Sequence, residues 1–138
     1  MADIFVDTSG WAELVDPKLP YHSLAAKIYY QTRQRKAKIV TTNYVITEVV
    51  SVLTSPLRFP RPRIIQFFEG LKTSTLVKIV YIEATLDDQA WQLLTKRADK
   101  NWSLVDCASF VVMRHHNLTE SLTTDHHFEQ AGFIRLLK

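Results

Sequence analysis

The sequence predicts a single-domain α/β fold with three layers, in which a mainly parallel sheet of about four or five strands is flanked by helices. Short β-type runs alternate with helical stretches along the chain, an order typical of a parallel sheet. The length of 138 residues suits one domain and is enough to bury a core without a metal or disulfide. No repeat, low-complexity tract or linker divides the sequence, so residues 1–138 are expected to form one domain.

The individual elements follow from local residue patterns. Strands are expected where apolar and β-branched residues cluster, at residues 3–6, 38–42, 77–82, 121–124 and 133–137. Helices are expected where apolar residues recur with a helical period, at residues 11–15, 21–36, 43–54, 63–72, 85–98, 103–115 and 125–130. Helix caps are predicted at Asn43, at Thr85 with Asp88, and at Ser103 with Asp106.

Composition and charge exclude several classes of protein. Apolar residues make up 46% of the chain and charged residues 22%, which excludes a disordered chain. The single cysteine, Cys107, excludes an intrachain disulfide and favours the cytoplasm, where thiols stay reduced. No signal peptide is visible, nor any apolar run of the ~18 residues that a membrane span needs. The net charge of +3 is compatible with a polyanionic partner.

Four carboxylates fall where a parallel sheet would bring them to its carboxyl edge. Asp7 and Asp125 each follow a predicted strand. Glu48 and Asp106 lie near the starts of predicted helices, and in an α/β sheet these helix starts lie at the same edge. Ligands of such sheets bind in the crevice outside that edge, so the four acids are expected to meet there.

Each carboxylate also has a purely structural interpretation. Asp7, Asp106 and Asp125 could each cap a helix, and Asp106 completes a capping box with Ser103. Glu48 lies on a mostly apolar helix face, where a carboxylate is costly unless it is paired or reaches solvent. Solvation or pairing with an arginine is therefore the alternative to a catalytic role for Glu48.

Electrostatic repulsion among the four acids must be relieved either by protons or by cations. Two bare carboxylates ~5 Å apart repel by roughly 3 kcal/mol at an effective dielectric constant of about 20. Four together would cost several kcal/mol, a large share of the ~5–15 kcal/mol that stabilises a small domain. Oxygen ligands without Cys or His favour Mg²⁺ or Mn²⁺, and such ions in an open crevice suit phosphoryl chemistry. Basic residues that could then contact phosphates, or simply form a solvated surface, are Arg33, Arg35, Lys36, Lys38, Arg58, Arg61 and Arg63.

Four segments resemble those of PIN-domain ribonucleases, and in particular those of the small VapC-type toxins. They are FVDTS at residues 5–9, TEV at 47–49, SLVD at 103–106 and TTDHHFEQAGF at 123–133. Together they span nearly the whole chain, and the last contains the fairly specific pattern D-x-x-F-x-x-x-G-F. The resemblance implies a PIN-like three-layer fold and a metal-dependent endoribonuclease.

The resemblance also implies roles for individual residues and for partners. It implies that Asp7, Glu48, Asp106 and Asp125 surround one or two Mg²⁺ or Mn²⁺ ions. Ser9 would contact the surroundings of the metal or position a water, with a second helix cap as its structural alternative. For the toxin members the resemblance implies an RNA substrate, a homodimer and an antitoxin protein that blocks the site.

Two other functions remain as alternatives. A non-catalytic module that binds nucleic acid or protein would use the acids only as caps and would pair Glu48 in a salt bridge. A phosphatase or phosphoacceptor on a similar sheet is disfavoured, because Ser9 stands where a D-x-D phosphatase has its second Asp and no late-strand lysine is evident.

Other chemistry-bearing residues are assigned to the surface or the core. The histidines lack the spacing of a zinc site. His126 and His127 are expected at the surface, with an approach to substrate phosphate beside Asp125 as the alternative. Trp91 shares an apolar helical stripe with Leu94 and is expected in the core, as is Cys107.

Overall fold

The computed structural model describes residues 2–138, which form five strands and seven helices. The strands are β1 (Ile4–Val6), β2 (Ile39–Thr42), β3 (Val77–Val80), β4 (Glu120–Leu122) and β5 (Ile134–Arg135). The helices are α1 (Thr8–Val15), α2 (His22–Gln34), α3 (Asn43–Thr54), α4 (Arg61–Thr73), α5 (Ala84–Lys96), α6 (Leu104–His115) and α7 (His127–Gln130). The expected α/β fold class is confirmed. None of the described helices is long and apolar enough to cross a membrane.

The five strands are all parallel and lie in the order β3-β2-β1-β4-β5. The chain runs outwards from β1 through β2 to β3, then crosses back to β4 on the other side of β1. Because βαβ crossovers are right-handed, this reversal puts α1 to α4 on one face of the sheet and α5 to α7 on the other. Ligand crevices of such sheets lie at the point of reversal, here between the carboxyl ends of β1 and β4.

The hydrophobic core surrounds β1 and β2, whose residues are all buried. The indole of Trp11, itself buried, donates a hydrogen bond to Thr41 Oγ1 at 3.2 Å. Thr41 donates in turn to the carbonyl oxygen of Val6 at 3.0 Å. These bonds hold α1 against the carboxyl ends of both strands, directly beside Asp7.

Gly10 lets α1 approach the end of β4 closely. A Cβ atom at this position would lie 2.1 Å from the carbonyl oxygen of Leu122, a contact that no side chain can make. The same carbonyl accepts a hydrogen bond from the Asp7 N–H at 3.2 Å. The first turn of α1 and the segment after β4 therefore lie side by side because position 10 is a glycine.

The starts of two helices differ from the sequence prediction. α1 begins at Thr8 rather than at Trp11, so the expected turn is the first turn of the helix. α3 is capped by the hydroxyl of Thr42 rather than by Asn43. Asn43 instead accepts a hydrogen bond from the Ile82 N–H at 2.6 Å, a tertiary contact that the local pattern does not encode.

The capping prediction is wrong for α5 and confirmed for α6. Glu83, rather than Thr85 with Asp88, caps α5, because its carboxylate accepts two backbone N–H groups of the first turn. Ser103 and Asp106 form the predicted capping box at the start of α6.

The lengths of several strands and the assignment of one residue to the core also differ from the sequence prediction. The strands after β2 are shorter than expected because their ends are set by pairing with the neighbouring strand, which residue type alone does not encode. Trp91 is 54% exposed, so its placement in the core was wrong, and Ala90 is the buried residue of α5. Cys107 is fully buried, as expected.

Candidate active site

An open cavity of about 550 Å³ lies at the carboxyl edge of the sheet. The four predicted acids all line it, together with hydroxyl and apolar side chains: Asp7, Glu48, Asp106 and Asp125. They come from the end of β1, from α3, from α6 and from the segment after β4. A larger cavity of about 720 Å³ between α1, α2 and α4 has no carboxylate or histidine in its lining. The convergence expected from the order of the acids along the chain is therefore observed.

Asp7 is buried, with 4% of its surface exposed, although it carries an ionisable group. It occupies the N-cap position of α1, but its side chain makes no capping hydrogen bond. Its Oδ2 atom instead accepts a hydrogen bond from the hydroxyl of Thr123 at 3.1 Å. The pKa of Asp7 is raised from 3.8 to about 7, mainly by burial. The nearby charges of Asp106 and Glu48 contribute in the same direction, and the hydrogen bonds that Asp7 accepts oppose the shift.

Asp106 is fixed by two hydrogen bonds to the same oxygen. Its Oδ2 atom accepts the Ser103 N–H of the capping box at 3.1 Å and lies 3.0 Å from Nδ1 of His127. Burial raises the pKa of Asp106, and the charge of Asp125 contributes in the same direction. Capping and participation in the site are therefore not alternatives for Asp106, because one carboxylate does both.

Glu48 is half-buried on the second turn of α3 and accepts a hydrogen bond from the hydroxyl of Thr8. Within residues 2–138 it forms no salt bridge. The arginine pairing that would have made Glu48 a structural residue is therefore not observed. α3 also packs against α6, which brings Glu48 to the same cavity as Asp106.

A chain of hydroxyl groups holds the segment after β4. The Thr123 hydroxyl gives its proton to Asp7 and accepts the Asp125 N–H at 3.0 Å. Ser9 Oγ accepts the Thr124 N–H at 2.9 Å and lies 3.1 Å from the Thr123 oxygen. Because the Thr123 proton is already engaged, Ser9 is the donor in this last bond. Ser9 thus fastens α1 to the segment that carries Asp125.

His127 lies beside two of the four acids, as in the alternative for these histidines, rather than at the surface. Its side chain is only 20% exposed, and its Nδ1 atom lies 3.0 Å from Asp106 and 3.4 Å from Asp125. His126 is 64% exposed, as expected, and also lines the cavity. His127 follows Asp125 by two residues, but only the packing of α7 against α6 shows which histidine turns inward.

Two further features of the cavity were not predicted from the sequence. Asp125, His126 and His127 each offer one ligand atom, and these atoms lie within 4.8 Å of one another, so they could also hold a metal ion. Glu13 lines the cavity as a fifth carboxylate. One of its oxygens accepts the Tyr21 N–H at 2.5 Å, which ties α1 to the start of α2.

Comparison with known proteins agrees with this geometry. The sequence model of the PIN domain family matches residues 4–134. A Mycobacterium tuberculosis protein named 23S rRNA-specific endonuclease VapC20 is 30% identical over 133 residues, covering 96% of this chain and 97% of that protein.

Two solved structures have the same fold. The crystal structure of Mycobacterium tuberculosis VapC20, described as a sarcin-ricin loop cleaving toxin, superimposes with a TM-score of 0.86 at 29% identity and covers 98% of this chain and 99% of its own. FitAcB from Neisseria gonorrhoeae superimposes with a TM-score of 0.63 at 16% identity, covering 96% of this chain and 94% of its own. The chain therefore belongs to the PIN-domain family of nucleases, whose members generally use divalent metal ions, and within it to the VapC-type toxin ribonucleases.

Proposed function

We propose that this protein is the toxin of a toxin–antitoxin pair and hydrolyses RNA phosphodiester bonds in the cavity lined by the four acids. The observation that carries the proposal is the convergence of Asp7, Glu48, Asp106 and Asp125 on one open cavity. The kinship with VapC-type toxins supports the choice of RNA as substrate.

The residues of the cavity suit Mg²⁺ or Mn²⁺. Their donors are mainly carboxylate oxygens, which hard divalent cations prefer. The pKa of about 7 at Asp7 indicates that the unneutralised cavity disfavours negative charge, which a cation would relieve. When bound, the ion would supply a Lewis acid that lowers the pKa of a water and stabilises charge on the leaving oxygen.

The side chains of the protein would hold the acids in place for this chemistry. Thr123 orients Asp7, Thr8 orients Glu48, and the capping box orients Asp106. Ser9 would act indirectly, because its hydroxyl holds the segment that carries Asp125. Attack by water in line with the 3′-oxygen would leave a 5′-phosphate on the product.

Structured ribosomal RNA is the substrate class that we propose. The relative from Mycobacterium tuberculosis is named for cleavage of 23S rRNA. Leu57 lines the cavity, and the exposed Arg58 follows it in the sequence, with Arg61 and Arg63 at the start of α4. These arginines would contact phosphates beside the scissile bond. We further propose a cytoplasmic homodimer that an antitoxin protein inhibits by covering the cavity.

The proposal is tested by single-turnover cleavage of a 23S rRNA fragment and of an unstructured RNA with Mg²⁺, Mn²⁺ or EDTA. Asp7→Asn and Asp106→Asn should lose at least ~100-fold in rate, the loss typical of removing one group that stabilises transition-state charge. Asp88→Asn, on the exposed surface of α5, removes the same charge outside the cavity and should cleave normally. Cleavage that survives EDTA, or that persists in both cavity variants, would contradict the metal mechanism.

A non-catalytic RNA-binding module remains the second candidate. It would bind the same RNA without cutting it and without any response to Mn²⁺. The contact of Glu48 with Thr8, rather than with a basic residue, counts against this candidate. Binding without cleavage by the wild-type protein at saturating Mn²⁺ would favour it.

A further inference from the structure

The ring of His127 lies between two carboxylates that come from distant parts of the chain. Its Nδ1 atom is 3.0 Å from Asp106 Oδ2 on α6 and 3.4 Å from Asp125 Oδ1 after β4. Carboxylate oxygens accept hydrogen bonds, so Nδ1 carries a proton and donates it. The nearer oxygen, on Asp106, is the acceptor, and Asp125 lies just beyond ordinary hydrogen-bond length.

The backbone of His127 contacts the second carboxylate as well. Its N–H donates to Asp125 Oδ1 at 2.9 Å. One residue therefore holds Asp125 through its backbone and Asp106 through its ring. This is the arrangement that keeps two like charges at a fixed separation without a cation between them.

The packing around α7 fixes the direction in which His127 points. Phe128 is fully buried in the core, which sets the rotation of the short helix. The Trp102 indole donates to Gln130 Oε1 at 2.9 Å and joins α7 to the residues just before α6. His126, on the neighbouring position, is 64% exposed and lies 3.7 Å from Asp125. His127 is thus held towards Asp106, whereas the largely exposed His126 lines the cavity.

The two contacts also leave part of Asp106 available. Both the Ser103 N–H and the His127 ring approach Oδ2. Within residues 2–138, Oδ1 has no hydrogen-bond partner, and Asp106 lines the cavity. A carboxylate that is tethered through one oxygen presents the other in a single orientation.

We infer that His127 is a positioning residue that sets the spacing of Asp106 and Asp125 for divalent-ion binding. The inference rests on the proposed function of the cavity, since it assigns a role in the same site. Groups that orient metal ligands in this way typically contribute 10–100-fold to metal affinity or activity.

Three substitutions test whether His127 acts by donating a hydrogen bond to Asp106 or only through the volume or charge of its side chain. His127→Leu keeps a side chain of similar volume and removes the donor. His127→Asn places an amide N–H near the position of Nδ1 and restores it. His115→Leu is the matched control, because it removes an exposed imidazole at the end of α6, outside the cavity lining.

The measurement is Mn²⁺ affinity by calorimetry without RNA, with metal-free thermal unfolding to verify folding. His127→Leu should weaken Mn²⁺ binding at least ~10-fold, whereas His127→Asn should recover most of this loss and His115→Leu should match wild type. If the leucine variant does not fold, His127→Ala takes its place. Wild-type affinity in a folded variant that lacks the donor, or an asparagine variant as weak as the leucine one, would overturn the inference.

The same samples distinguish this inference from the proposed function. RNA cleavage by His127→Leu should be impaired at low Mn²⁺ and should recover as Mn²⁺ is raised, because the defect lies in binding the ion. If the wild-type protein binds Mn²⁺ but cleaves no RNA, the proposed function fails while the affinities still decide the role of His127. If the wild-type protein binds no Mn²⁺, both are overturned.

Discussion

At the scale of single residues, Asp7 couples the candidate site to the stability of the fold. Its carboxyl group is buried, and its pKa is raised from 3.8 to about 7. The folded state therefore binds a proton at Asp7 more tightly than the unfolded chain does. The stabilisation from this proton is fully present below about pH 4 and is lost as the pH rises towards 7.

Asp7→Asn should remove this pH dependence. Asparagine keeps the size of the side chain and still accepts the Thr123 hydrogen bond, but it carries no charge. In EDTA, the variant should therefore gain stability over wild type between pH 4.5 and 7.5, by at most roughly 4 kcal/mol at about 1.4 kcal/mol per pKa unit. Urea unfolding across this range measures the difference. A constant difference at every pH would show that the pKa of Asp7 is close to its ordinary value.

Ser9→Ala tests the hydroxyl chain that holds the segment after β4. The substitution leaves the Thr124 N–H without its partner and removes the donor to Thr123. Metal-free stability should fall by ~1–3 kcal/mol, the cost of one unsatisfied buried group, and RNA cleavage should decrease without being abolished. Thermal unfolding and cleavage assays measure both effects. Unchanged stability and unchanged cleavage would leave Ser9 with no role in the site.

The sequence predicted the position of a residue correctly where the order of strands and helices determines that position. It did not predict the position where the direction of the side chain determines it. Asp7 and Asp125 follow neighbouring parallel strands, so their proximity could be predicted from the alternation of elements. His127 could not be separated from His126 in this way. Only the burial of Phe128 and the contact of α7 with α6 determine which imidazole reaches Asp106.

At the scale of elements, the approach of α1 to β4 builds one wall of the cavity. The first turn of α1 carries Thr8 and Ser9 and packs on the end of β4 at Gly10. The sequence predicted the helix but placed its start three residues late, at Trp11. The polar residues 7–10 are typical of a turn, and the contact that makes them helical is tertiary.

Gly10→Ala should be strongly destabilising, and a second glycine provides the control. The added Cβ atom would lie 2.1 Å from the Leu122 carbonyl oxygen, so α1 must move away from β4. We expect a loss of ~1–3 kcal/mol or more, as for overpacked cores, together with loss of cleavage. Gly70→Ala in α4 meets nothing within 4 Å and should be neutral or stabilising by ~0.5–1 kcal/mol. Equal stability of the two variants in urea unfolding would contradict the close approach.

At the scale of the whole molecule, the net charge is +3. If RNA is the substrate, basic side chains must lie where they can contact its phosphates. Leu57 lines the cavity, and the exposed arginines Arg58, Arg61 and Arg63 follow it along the chain. Length, alternation and the order of the acids were enough to predict the fold class and the cavity. They were not enough to predict which basic residues border it, because surface side chains carry no periodic pattern.

A triple variant should weaken RNA binding and reduce the salt dependence of that binding. It combines Arg58→Gln, Arg61→Gln and Arg63→Gln. Each lost contact with a single-stranded phosphate lowers the slope of log K against log salt by about 0.7. The control combines Lys27→Gln, Lys72→Gln and Lys96→Gln, which removes the same charge from exposed positions outside the cavity lining. Binding is measured in EDTA at several salt concentrations, so that cleavage does not interfere. Equal effects of the two triple variants would assign the arginines to general charge rather than to contacts beside the site.

The central claim, that four distant carboxylates jointly hold a divalent ion, is tested most directly by a crystal structure of the protein soaked in Mn²⁺. The anomalous difference map should contain a peak in the cavity, within bonding distance of carboxylate oxygens from Asp7 and Asp106 and close to Glu48 or Asp125. A map without a peak there at millimolar Mn²⁺, or with its only peak elsewhere on the molecule, would contradict the account.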